Sequence, residues 1–210
     1  MTKRQAGLHE GPSGFAGSDG AANATLDPTE AFLFRTLVWR PTLLSRNGVS
    51  YISVRRWRSS VKDYQIDALR QVKKSPSAQF VAACARDVIA GLDGMIAGQL
   101  YTHVVPVPCS RSAPDACLSV LLAEKLAARV RLTFVEALAA ERAEGASHPR
   151  KNADRPAMTL REAVSGPTLL VDDVATSGRH LEEGARLLRQ SAPALLAVAW
   201  IGGGAVDEQE

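Results

Sequence analysis

The sequence predicts an α/β fold: a parallel sheet with helices on both faces. Three observations carry that expectation. From residue 103 onward, apolar runs of strand length alternate with stretches of helical periodicity, the order that builds a parallel sheet. The run TLLV at 168–171 is almost continuously apolar, as expected of a strand covered on both faces. Composition supplies the core, with 46% hydrophobic and 22% charged residues, which excludes global disorder. A chain of 210 residues suits one domain with attached tails.

Taken in order, residues 1–30 are rich in Gly, Ala, Ser and Thr and are expected to be a disordered tail. Residues 31–98 should form an N-terminal hood with its helices, 99–201 the parallel core, and 202–210 a flexible tail. Irregular structure and one strand, at 49–57, are expected before residue 60. Val61, Tyr64, Ala68, Leu69 and Val72 then recur near helical spacing. A second helix opens near Pro76, since proline suits a first turn, with Phe80, Val81, Cys84, Ala85, Val88 and Leu92 on its apolar face. The first core strand is 103–107. Ser-Ala-Pro-Asp at 112–115 starts a helix with Leu118, Leu121, Leu122 and Leu126 inward. A strand at 130–135 follows, then a polar loop at 141–156. The strand at 168–171 leads into a helix with Leu181, Ala185 and Leu188 on one face, and a last strand lies at 195–201. Gly202 to Gly204 have no helical pattern after them and read as tail.

The net charge of +3 says little, but residues 35–74 hold ten Lys/Arg against two Asp/Glu. Arg55-Arg56-Trp57-Arg58 with Lys62, Lys73 and Lys74 is compatible with a grip on single-stranded nucleic acid. The competing reading is a solvated face with one packed tryptophan. Cys84, Cys109 and Cys117 are odd in number and lack C-x-x-C spacing, which predicts reduced thiols and a cytoplasmic protein. The first thirty residues lack an apolar core flanked by basic residues, so no secretory signal is expected. No uninterrupted apolar run reaches the ~18 residues of a membrane span.

The chemistry concentrates at 168–180, TLLVDDVATSGRH. Asp172 and Asp173 follow the apolar strand and precede a small glycine-containing turn and a helix start. Ligands of parallel sheets gather beyond the carboxyl ends of the strands. Backbone N–H groups of the turn and the helix dipole favour an anion there, phosphate above all. Carboxylates do not bind phosphate, so they should face hydroxyls or a metal beside it. A sugar phosphate satisfies both halves. The alternative is a solvated acid pair at a helix start. Neither a P-loop nor a G-x-G-x-x-G turn opening a helix is present.

The same segment resembles the ribose-phosphate signature of type I phosphoribosyltransferases, an apolar strand followed by paired acids and a Thr/Ser-Gly loop. The resemblance implies a phosphoribosyltransferase-type fold. It also implies that Asp172 and Asp173 bind the ribose hydroxyls of phosphoribosyl pyrophosphate and serve Mg²⁺ either directly or through those hydroxyls. Val174, Ala175, Thr176, Ser177 and Gly178 would wrap the 5′-phosphate. His180 departs from the threonine common in the family; it would still contact the phosphate, with a charge that varies near neutral pH. YTHVVPVPCSRS at 101–112 resembles the V-P-V-P segment of ComF proteins, whose cysteine-rich metal-binding segment is absent here. By that likeness, Cys109, Ser110 and Arg111 would face the pyrophosphate. Arg150 and Lys151 lie in the long polar loop, which the family uses as a flexible cover.

The resemblance therefore implies Mg²⁺-dependent transfer of a phosphoribosyl group to a nitrogen nucleophile, the acceptor being a nucleobase or another amine. Two other readings stand beside it. One is a non-catalytic sensor of phosphoribosyl pyrophosphate, or a ComF-like nucleic-acid accessory protein, on the same fold. The other is an inactive relative with an eroded site. A homodimer is the commonest assembly for soluble proteins.

Overall fold

A computed structural model describes residues 26–93, 101–109, 117–140 and 158–207. The elements in chain order are α1 (Pro28–Thr36), β1 (Val38–Arg46), β2 (Val49–Arg58), a 3-10 turn (Ser59–Val61), α2 (Lys62–Val72) and α3 (Ala78–Asp93). They continue with β3 (His103–Pro106), α4 (Leu118–Val130), β4 (Thr133–Phe134), β5 (Leu138–Ala140), β6 (Met158–Leu160), β7 (Thr168–Ala175), α5 (Arg179–Leu188) and β8 (Leu195–Val206).

Six strands form the central sheet in the order β1-β2-β8-β7-β3-β4. Adjacent strands pair in parallel from β2 to β4, and only the edge strand β1 runs antiparallel to its neighbour. The fold is thus a mostly parallel α/β sheet, as the alternation from residue 103 predicts. Strands β5 and β6 form a separate antiparallel pair.

Two apolar clusters cover the two faces. Leu33, Leu69, Val72, Phe80, Val88, Leu118, Leu122 and Leu126 pack α1 to α4 against Ile52, Val171 and Trp200. On the other face, Leu181, Ala185 and Leu188 of α5 pack with Leu170, Ala197 and Ala199. Those three α5 residues are fully buried, which is the helical face read from their spacing. Within the first cluster Trp200 meets Phe80 and Phe34 with ring centroids 5.3 and 5.5 Å apart. Asp87 accepts the Trp200 Nε1 proton at 3.0 Å and pairs with Arg55, whose Nη1 also reaches the Leu37 carbonyl at 3.1 Å.

Three expectations are corrected. Residues 28–30, assigned to the tail, begin α1, because Asp27 accepts from the Thr29 and Glu30 amides while Glu30 reaches back to the Asp27 amide. Such a box supplies about 1 kcal/mol against a helix end left bare. The irregular stretch expected from residue 31 to 48 is in fact the rest of α1 and the nine-residue strand β1, the strand hidden because Pro41 and alternating polar residues suit an edge. β1 and β2 accordingly join the sheet itself. Finally, Gly202–Gly204 belong to β8: Gly202 pairs with Arg56 on one side and Ala175 on the other. Their role is close packing, which a pattern of side chains cannot announce.

Candidate functional site

The acid pair lies inside the sheet. β7 does not stop before Asp172 and Asp173; it carries both to its C-terminal end, where they are only 6% and 5% exposed. Two adjacent carboxylates in a buried strand end repel each other and lose hydration. For Asp172 the consequence is a pKa raised to about 8, from burial first and from Asp173 second. The Asp172 side chain is held in place by accepting the Asp173 backbone N–H at 2.8 Å.

Asp173 has a partner the sequence did not suggest. Lys73, which caps the C-terminal end of α2, places its Nζ 2.6 Å from Asp173 Oδ2. That oxygen is buried and has no aligned hydrogen bond among the described residues, so the contact is an ion pair with lone-pair capacity left over. The lysine also draws the Asp172 pKa down, against burial and repulsion. One hundred residues of chain separate Lys73 from Asp173. No local pattern could have joined them.

Beyond the pair, Val174 and Ala175 finish β7, and Thr176 and Ser177 are exposed in the turn. Gly178 is the N-cap of α5 in the left-handed conformation at φ 72°, and no side chain caps the helix there. Gly178 thus offers the start of α5 no side-chain acceptor, and such a helix start favours an anion. A Cβ on Gly178 would lie 3.2 Å from the ring and hydroxyl of Tyr51 on β2. A Cβ on Gly203 would overlap the Thr176 carbonyl, so β8 supports the turn backbone to backbone. His180 sits exposed in the first turn of α5, with enough of its ring shielded to lower its pKa against the opposing pull of Asp173.

The chain matches no protein family and no curated protein. Among solved structures it is similar to adenine phosphoribosyltransferases. That of Leishmania donovani is 14% identical with a TM-score of 0.44, covering 87% of this chain and 83% of that one. That of Saccharomyces cerevisiae, complexed with D-2,5-dideoxy-2,5-imino-altritol 1,6-bisphosphate and adenine, is 15% identical with a TM-score of 0.43, covering 83% and 88%. That of Thermoanaerobacter pseudethanolicus is 12% identical with a TM-score of 0.43, covering 82% and 98%.

Cys109 requires a correction. It is not a free thiol facing a ligand: it forms a disulfide with Cys117, the N-cap residue of α4, with Cα atoms 5.9 Å apart. The end of β3 and the start of α4 are brought together by the packing of α4 on β3, and a spacing of eight residues carries no motif that would reveal it. Ser119 sits under the bridge, donating to the Val107 carbonyl at 2.6 Å. Only Cys84 remains a thiol, fully buried, with burial pushing its pKa well up. The sequence ground for a cytoplasmic location falls with the pair. Ser110, Arg111, Arg150 and Lys151 lie outside the described residues.

The basic segment also divides. Trp57 is 3% exposed in the core and Arg55 is bound to Asp87, so neither presents itself to a nucleic acid. No helix among the described residues is long and apolar enough to cross a membrane.

Proposed function

We propose that the C-terminal edge of the sheet binds phosphoribosyl pyrophosphate and supports transfer of its phosphoribosyl group to a nitrogen nucleophile. One observation carries this reading: a buried acid pair stands directly beside an uncapped helix N-terminus on a glycine turn. The first suits ribose hydroxyls and the second suits a phosphate, at the spacing of one turn of chain. The resemblance of residues 168–180 to the type I phosphoribosyltransferase signature points the same way.

The residues fit Mg²⁺ only as partial ligands. No group of three or more His, Cys, Asp or Glu among the described residues could hold a metal. Asp173 Oδ2 nevertheless has unused lone-pair capacity, and Mg²⁺ is commonly bound by one or two carboxylates together with substrate phosphates. Bound there, Mg²⁺ would neutralise charge on the pyrophosphate. The protein's own residues position the sugar. Asp173 accepts from a ribose hydroxyl, and Asp172, with a pKa near 8, accepts or donates according to pH. The turn amides hold the 5′-phosphate. The C1–O bond to pyrophosphate breaks with its electron pair leaving on oxygen, the C1–N bond forms, and the displaced proton goes to water. Asp173 faces the positive charge that develops on the ribose ring.

Calorimetric titration with phosphoribosyl pyrophosphate, with and without Mg²⁺, tests the proposal. Magnesium-dependent binding that disappears in folded Asp172→Asn/Asp173→Asn supports it. Unchanged affinity in that double variant removes the site assignment. Binding without turnover of any nucleobase or amine would leave a sensor in place of an enzyme.

A further inference from the structure

The turn at Thr176–Gly178 is one half of an anion site, and β2 supplies a candidate for the other half. Tyr51 and Ser53 are two residues apart on β2 and so share a face of the sheet. Tyr51 lies against Gly178, which places that face on the α5 side. Ser53 is fully buried, and its Oγ has no hydrogen-bond partner among the described residues. Arg56 reaches the same place. Its Nη1 lies 2.9 Å from where a side chain would begin at Gly202 and 3.1 Å from the equivalent point at Gly204. The Gly202 point is also 2.7 Å from Ser53 Oγ.

The guanidinium therefore lies along the bare backbone of β8, and Gly202 and Gly204 leave the space it fills. β8 is also the strand on which the turn rests, through Gly203 and the Thr176 carbonyl. Tyr51 borders Gly178, Ser53 shares its face of β2, and Arg56 Nη1 and Ser53 Oγ border one point at Gly202, so the cation and the turn stand on the same face of the sheet. Arg56 Nε is buried and unpaired among the described residues, and the guanidinium cannot lose its charge. A permanent cation with an unmet buried donor, beside an uncapped helix N-terminus, calls for an anion. The residue as a whole stays partly exposed, so an anion can enter.

We propose that Arg56, supported by Ser53, is a second-side ligand to the phosphate monoester bound at the Thr176–Gly178 turn. The inference deepens the proposed function and rests on that turn being an anion site. Arg56 supplies paired donors across from the turn amides, and its planar fork suits a phosphate better than a lysine would. The acid pair reads the sugar, the turn and Arg56 read the phosphate, and a ribose lacking the phosphate should gain nothing from Arg56.

The test is calorimetric titration of the full chain and its Arg56→Gln and Arg56→Lys variants with ribose 5-phosphate, ribose and inorganic phosphate. Circular dichroism melting checks that each variant is folded. Arg56→Gln is expected to weaken ribose 5-phosphate by about 10- to 100-fold, the loss of a charge-assisted pair, and Arg56→Lys by less. Equal affinity in wild type and folded Arg56→Gln overturns the role of Arg56 and leaves the proposed function standing. Arg56-dependent binding of inorganic phosphate without any binding of ribose 5-phosphate overturns the proposed function and keeps the anion site. Binding of no anion by the wild type overturns both. Should Arg56→Gln fail to fold, Arg56→Lys decides, since unchanged affinity for ribose 5-phosphate with the fork removed is incompatible with paired donation.

Discussion

Asp172 carries a carboxyl group that burial and Asp173 hold near pKa 8, against an ordinary value of 3.8. A group with a raised folded pKa binds its proton more tightly when folded. Its contribution to stability is complete below about pH 4 and is lost as pH rises through 8. Wild-type stability should therefore decline across that window from this group alone. Asp172→Asn keeps the shape, removes the ionisation, and should flatten the decline. Urea unfolding at pH 5 and pH 8.5 reads it: the variant should gain on the wild type at the higher pH. A constant difference between the two proteins would show that Asp172 does not titrate in that range. Under the proposed function the same proton would matter for binding, because a protonated Asp172 would give a ribose hydroxyl a donor and the ionised form an acceptor. A metal competing for the site should release that proton, so its affinity should rise from pH 6 to pH 8.5.

At the scale of elements, apolar periodicity made the strands and helices of the core legible: α2, α3, α4, α5 and β7 stand where their spacing puts them. What stayed hidden is contact made without side chains or across space. Gly202–Gly204 carry no pattern, yet they let β8 support the turn and make room for Arg56. Gly178 was legible as the glycine of the turn before α5, and its φ of 72° shows why glycine is needed. Gly178→Val would force a branched residue into the left-handed region and against Tyr51. It should cost about 1–3 kcal/mol of stability and remove phosphate binding, as thermal melting and phosphate titration would show. The Cys109–Cys117 bridge was equally invisible, since its two ends meet only because α4 packs beside β3. Alkylation of the unfolded, unreduced protein should label one thiol, Cys84, and reduction should expose two more. Closing so short a loop restricts the unfolded chain by about 2–3 kcal/mol, so reduction should lower the melting temperature.

Across the whole molecule, the candidate site is assembled from segments far apart in sequence. β2 brings Tyr51, Ser53 and Arg56, α2 brings Lys73, β7 and α5 bring the acids and the turn, and β8 lies beneath them. Sequence reading found the β7–α5 segment because its chemistry is contiguous. It saw Lys73 and Arg56 only as members of a basic run, since their meaning depends on the strand order β2-β8-β7. Lys73 is the joint with the clearest consequence. It ties the end of α2 to a buried carboxylate, and it lowers the pKa of the neighbouring Asp172. Lys73→Met keeps much of the aliphatic stem and deletes the charge. The Asp173 carboxylate would then be buried without its counter-ion, which is destabilising. Lys73 is itself 34% exposed, so solvent screens the pair and the loss should be nearer 1–2 kcal/mol than the full cost of a buried ion. Deleting the lysine should also raise the Asp172 pKa above 8, because a nearby cation that favours its ionised form is gone. Carboxyl-carbon NMR titration follows that shift directly. An Asp172 titration that stays in place after Lys73→Met would mean that the α2 lysine does not act on the acid pair in solution, and that the two halves of the site are electrostatically independent.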